Sequence, residues 1–197
     1  RRRYAALGEL SRQHGVQLLL TAHHQDDQAE TVLLQLFRGT GVRGLGGMLK
    51  LHRTEHLAAD NVLLGRPLLE CTREALHAFA AERGIQHIND ESNDDPRYRR
   101  NAIRQQIMPA IDQHYPGFAA TLARSSQHWQ NAQRLLDELA ALDLATCAEG
   151  AALNIRALAK LSAPRADNLL RYWVLGQGEP GARYAPSTAD RKSTRLN

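Results

Sequence analysis

Tyr4, Leu7 and Leu10 stand at helical spacing near the start of the chain and predict a helix there. Past Gly15, residues 16–22 (Val-Gln-Leu-Leu-Leu-Thr-Ala) form a short apolar run, the pattern of a strand buried in a parallel sheet. Over 26–38 the apolar positions Ala29, Val32, Leu33, Leu36 and Phe37 fall on one helical stripe, and Gly39 is placed to end it in a left-handed conformation. Residues 48–53 and 61–64 read as strands of a hairpin or sheet edge, joined by a polar loop carrying His56 and Asp60. Thr72 can cap a helix to Arg83 with Leu76, Phe79 and Ala80 facing inward and Gly84 at its end, and 85–88 follows as a short strand. Strands alternating with helices predict an α/β domain with a mainly parallel sheet.

The pattern changes after Pro109 and Pro116. One long helix is predicted over 117–147, with Phe118, Leu122, Trp129, Leu136 and Leu139 along one side. Ser162 and Pro164 open another helix, in which Leu169, Leu170, Trp173 and Val174 are apolar and Gly176 is the stop. The division is therefore an α/β domain over 1–112, a smaller all-helical domain over 113–180, and a tail over 181–197 whose Gly, Pro, Ser and charged residues predict disorder or a foreign end.

Hydrophobic residues at 43% and charged residues at 23% are ordinary globular values and point away from a disordered or membrane-embedded class. No run approaches the roughly 20 apolar residues that span a bilayer, and no apolar signal core follows Arg1-Arg2-Arg3-Tyr4, so a cytoplasmic protein with no membrane contact is expected. Cys71 and Cys147 lie far apart without metal-binding spacing, which fits a reducing compartment and gives no structural zinc site. The formal charge of +4 permits contact with a polyanion without requiring it. The chain opens without methionine inside a predicted helix, so upstream sequence is expected to be missing.

The densest polar cluster runs from His23 to Thr31, at the junction of a strand's carboxyl end and a helix start, where open α/β sheets bind ligands. Asp27 and Glu30 are i and i+3 and share a face beside the apolar stripe. Three readings stay open: acids favoured by the helix dipole, a His/Asp metal site of a metal-dependent phosphohydrolase, or a functional carboxylate pair. The string Gly39-Thr40-Gly41-Val42-Arg43-Gly44 fits GxGxxG by letter, but it follows a helix rather than a strand, so a helix-ending loop is the better account. Further on, Asp90 to Asp95 adjoins Arg97, Arg99, Arg100, Asn101 and Arg104. Arg100 and Arg104 lie one turn apart, away from Ile103 and Ile107, and can present a fork to phosphate or carboxylate or pair with the preceding acids.

Three ordered segments, AHHQDDQAETVLLQLFRGTGVRGLGGM (22–48), RPLLECTREAL (66–76) and DESNDDPRYRRNAIRQQIMP (90–109), closely resemble the tRNA(Ile)-lysidine synthase family, and a weaker similarity continues to about residue 180. The resemblance implies a PP-loop (adenine nucleotide alpha-hydrolase-like) ATPase domain followed by a helical domain. It implies adenylation of C2 of the wobble cytidine in tRNA(Ile) with a CAU anticodon, then displacement of AMP by free lysine. It places the catalytic carboxylates Asp27 and Glu30 near the lysine, with His24 and Arg38 in the same motif, Arg3 near the ATP phosphates or adenylate, and Arg100, Asn101 and Arg104 in an RNxxR element. ATP is implied as substrate with Mg2+, and a homodimer is left open.

The family's Ser-Gly-Gly-x-Asp-Ser loop, which cradles ATP phosphates through backbone N–H groups, does not occur in these 197 residues, so this chain alone is expected to be inactive. A PP-loop tRNA thiolation enzyme and a non-catalytic RNA-binding module are the alternatives; two isolated cysteines speak against the former.

Overall fold

The computed structural model describes residues 2–53, 57, 62–86, 97 and 99–176. They form two compact units that interleave along the chain, one of residues 1–17, 53–62 and 135–197 and the other of residues 18–52 and 63–134.

In the second unit, β1 (Leu18–Leu20) runs parallel to β3 (Leu63–Gly65), with Leu18 opposite Leu63 and Leu20 opposite Gly65. The sheet order is β1-β3-β2, β2 being Leu51–Arg53, so β3 is central and Leu64 is 1% exposed. The expected buried strand at 16–22 is shorter and far more open. Leu18 and Leu20 share one face of an edge strand, lean over the missing side chain of Gly65, and remain 47% and 58% exposed.

α2 (Gln25–Phe37) follows β1 and buries Ala29, Val32 and Leu33. Leu36 and Phe37, assigned to the same stripe from spacing, turn outward because the helix ends at Arg38 and Gly39, the latter at φ 66°. Ala29 and Leu33 pack with Ile103 and Met108, and Leu34, Ile107, Ile111, Phe118, Ala119 and Leu122 complete this core. Burying each large aliphatic side chain here contributes about 1.5 to 3 kcal/mol.

The loop after α2 contains α3 (Val42–Leu45), and α4 spans Arg73–Glu82 with Thr72 Oγ1 accepting from the Ala75 N–H at 3.0 Å. α4 buries no residue, contrary to the inward face read from the sequence: Phe79 is exposed and the Arg83 guanidinium lies 5.4 Å from its ring centre. Ile85 and Gln86 form no strand, and the remainder of the strand expected over 85–88 lies outside the described residues, as do Asp90 to Asp95. α5 (Arg99–Ala102) continues into a π turn (Ile103–Ile107) and α6 (Met108–His114).

α7 (Phe118–Cys147) is the long helix predicted from its apolar side; its first part belongs to the second unit and its last part to the first. In the first unit the sequence expectation of helix alone is corrected by a small hairpin, β4 (Ala148–Glu149) against β5 (Ala152–Leu153), turned by Gly150 at φ 62°. α8 (Ile155–Leu158) is capped by Asn154, and α9 (Ala163–Gly176) buries Leu169 completely. Arg165 pairs with buried Asp143 of α7, and Asn168 Nδ2 donates to the Leu136 carbonyl at 2.6 Å. α1 (Arg2–Gln13) turns Gly8 and Ser11 inward, whereas Leu10 is 51% exposed.

Candidate functional site

The carboxyl end of β1 leads through Thr21–His24 into α2. The Thr21 N–H extends the sheet by donating to Gly65 O at 2.9 Å, and the Gln25 N–H donates to Cys71 O at 2.8 Å, which fixes where the helix begins. Asp26 and Asp27 then occupy the first turn, where free N–H groups and the helix dipole favour acids. Asp27 Oδ2 accepts from the His24 backbone N–H at 3.0 Å and so caps the helix. The His24 ring lies between the acids, Nδ1 at 3.5 Å from Asp26 and Nε2 at 3.4 Å from Asp27.

Asp26 was not singled out from the sequence. The adjacent His24 ring lowers its carboxyl below the ordinary 3.8; burial opposes this, and the Arg73 N–H at 2.8 Å adds to it. A lowered folded pKa means that the stabilisation is present above the unfolded value and is lost as pH falls through the folded one. Asp26→Asn is therefore expected to flatten the acid limb of the stability-against-pH curve below about pH 3.8, read from urea midpoints at a series of pH values. An unchanged acid limb would show that the His24 contact carries no stability.

One turn further along α2, Glu30 is 1% exposed at its side chain and Asp27 is 12% exposed. Both arginines of the RNxxR element reach them. Arg104 grips Glu30 with two bonds, Nε to Oε1 at 2.6 Å and Nη2 to Oε2 at 3.1 Å, and its Nη2 also lies 3.3 Å from Asp27 Oδ1. Arg100 bridges the pair, Nε to Glu30 Oε2 at 2.6 Å and Nη2 to Asp27 Oδ1 at 2.9 Å. Planar guanidinium forks suit this geometry, and the hydrogen bonds to Glu30 raise the Arg104 pKa against the opposing effect of burial. Spacing put Asp27 with Glu30 and Arg100 with Arg104 on shared faces, but did not reveal that the two pairs are partners across 70 residues of chain.

The other sequence candidates are dispersed. Asn101 is buried on α5 beside Arg100, Arg38 is exposed at the end of α2 and joins no described bond to the cluster, and the Arg3 side chain lies outside the described residues. Sequence reasoning passed over Gln28, 3% exposed and next to Asp27. Gln28 donates to Ser126 Oγ (2.9 Å) and Met48 O (3.1 Å) and accepts from Met48 N (2.8 Å), while Gln130 donates to Gly46 O (2.6 Å). Gly47, at φ 62°, has no room for a Cβ, which would stand 2.8 Å from Gln28 Oε1, so the glycine-rich loop is pinned to α2 and α7. A glutamine amid acidic residues at a helix start was the available signal.

Residues 1–111 match the PP-loop domain family, and residues 153–192 match the TilS substrate binding domain. The chain is 46% identical over 185 residues to the tRNA(Ile)-lysidine synthase of Burkholderia pseudomallei (strain K96243), covering 93% of this chain and 37% of that protein. It is 44% identical over 176 residues to the enzyme of the same name from Ralstonia nicotianae, covering 89% and 37%, and 41% identical over 185 residues to that of Bordetella parapertussis, covering 90% and 52%. The chain thus spans between about a third and a half of the length of these relatives. No helix among the described residues is long and apolar enough to cross a membrane. With the match to its domain extending over more than half of the residues, the chain belongs to the PP-loop family.

Proposed function

We propose that this chain is part of a tRNA(Ile)-lysidine synthase, which adenylates C2 of the wobble cytidine of CAU-anticodon tRNA(Ile) and joins free lysine to it with loss of AMP. The observation that carries this reading is the buried acidic pair Asp27 and Glu30, at a helix start within the matched PP-loop region. The similarity to the named synthases supports it. The mainly parallel sheet of a PP-loop domain is part of the same proposal, supported by the parallel β1–β3 pair.

Free lysine is cationic, with a side-chain pKa of about 10.4, and paired carboxylates bind and orient its ammonium. That pairing favours the protonated amine, so a proton leaves before or during attack, and the more exposed Asp27 is the candidate acceptor. His24, 3.4 Å from Asp27, is placed to tune or relay that charge. Asn101 and Arg38 are assigned to substrate contacts, and Arg3 to the ATP phosphates or the adenylate. Mg2+ is expected to accompany the phosphates of ATP.

The test uses a chimera in which the segment preceding Arg1 and the portion following this chain are supplied by the Burkholderia pseudomallei relative. The expected result is ATP-dependent incorporation of labelled lysine into CAU-anticodon tRNA(Ile), with little or none by the 197-residue chain alone. Adenylation followed by sulfur rather than lysine incorporation would assign the chain to thiolation instead, and tRNA binding without pyrophosphate release would make it a binding module.

A further inference from the structure

Glu30 is closed to solvent. Among the described residues its two carboxylate oxygens accept three hydrogen bonds, from Arg100 and Arg104, and its side chain is 1% exposed. An ammonium group cannot reach it unless one guanidinium moves. Charge leads in the same direction: at Asp27 and Glu30 two carboxylates already meet two guanidiniums, and with only Asp26, beyond His24, to balance a further cation, an ammonium gains most where one guanidinium leaves.

The two arginines are not equivalent. Arg104 makes the two-bond fork with Glu30, is 25% exposed, and sits in the π turn between Ile103 and Ile107, which pack in the core. Arg100 makes one bond to each acid, is 39% exposed, and precedes that turn on the four-residue α5. Arg100 is the solvent-facing member, and Asp27 Oδ1 and Glu30 Oε2, which it holds at 2.9 and 2.6 Å and Arg104 Nη2 at the longer 3.3 and 3.1 Å, are the pair that a single ammonium would bridge in its place.

We propose that Arg100 is an internal competitor of lysine: its guanidinium occupies the acidic pair in the unliganded protein and leaves when the lysine ammonium enters, while Arg104 stays as the fixed partner of Glu30. This rests on the lysine reading of Asp27 and Glu30 given above. Ligand exchange at constant charge keeps Glu30 paired throughout, so the buried carboxylate is never left alone. It also makes lysine entry and Arg100 release one event, which frees a guanidinium beside the site at the moment the nucleophile arrives.

The test measures L-lysine binding by titration calorimetry to the 197-residue protein and to the chimera described above. Arg100→Gln is expected to bind lysine about tenfold more tightly, the penalty removed when the open arrangement makes up about a tenth of the unliganded population. Arg104→Gln is expected to bind it more weakly. Arg100→Lys keeps the charge but loses the planar two-nitrogen fork and should fall between wild type and Arg100→Gln, which preserves the test if the glutamine variant folds poorly. With arginine side chains labelled by 15N, saturating lysine should release the Arg100 Nε–H into fast solvent exchange and leave that of Arg104 protected. Unchanged or weaker lysine binding by both Arg100 variants, or protection of Arg100 in the lysine complex, overturns the proposal and makes Arg100 a scaffold or a ligand-carboxylate partner. If Asp27→Asn and Glu30→Gln bind lysine like wild type, the lysine reading itself fails, and that outcome is distinct from failure of the exchange.

Discussion

Asp27→Asn and Glu30→Gln are each expected to lower lysine incorporation by the chimera by roughly 10- to 150-fold while leaving adenylation much less affected. Each change removes a negative partner of the incoming ammonium, and a hydrogen bond to a charged group contributes about 1.5 to 3 kcal/mol, which sets that range. The half-reactions separate the possibilities: pyrophosphate release reports adenylation, and labelled lysine on tRNA reports the second step. Glu30 also anchors Arg104, so its variant needs a thermal melt in parallel, and the assay belongs well below that midpoint. A equal loss in both half-reactions would mean that the acids only hold α2 against the arginine-bearing segment.

A second large effect is expected in the first unit. Gly8→Ala is predicted to destabilise the first unit by about 3 kcal/mol or more, at the upper end of what overpacking costs. A Cβ on Gly8 would stand 1.3 Å from the carbonyl oxygen of Leu57 and 2.4 Å from its carbonyl carbon. Those are backbone atoms of a residue that is itself 0% exposed, so no rotamer change relieves the clash and α1 must move away. Urea denaturation of the alanine variant reads the effect. The neighbouring change Leu10→Ala, at a residue 51% exposed, serves as the control and should shift the midpoint little. Equal midpoints for wild type and Gly8→Ala would show that α1 does not pack against the Leu57 backbone as described.

The same helix shows where a reading of the sequence loses its grip. Tyr4, Leu7 and Leu10 correctly announced α1, because apolar spacing reports helical period, yet the buried face runs through Gly8 and Ser11. The close approach of a backbone carbonyl selects for the absence of a side chain, and no hydrophobicity pattern records that. For α4 the error has the opposite sign: Phe79 satisfied the stripe, but its ring stays about half exposed, with Arg83 beside it. Within the site, residues on one element were legible. Asp27 with Glu30, and Arg100 with Arg104, declared themselves by helical spacing. What joins the two pairs is a tertiary contact between α2 and the α5–π segment, and local periodicity carries no information about contacts 70 or more residues apart. Gln28 shows the same limit, since its partners Met48 and Ser126 are 20 and 98 residues away.

The π turn at Ile103–Ile107 bears on how kinship with this chain ought to be judged. A π turn closes its hydrogen bonds one residue later than an α turn, so it acts as a single-residue insertion within an otherwise continuous helix. A sequence shorter by one position between Arg104 and Met108 would keep every letter of RNxxR and score as a one-gap neighbour. Its helix would close that turn as an ordinary α turn and keep its direction, so the residues equivalent to Met108 and Ile111 would still meet the core that here holds Ala29 and Leu33. A one-residue gap at this place therefore leaves both flanks of the helix in spatial register, whereas the same gap elsewhere along it would not.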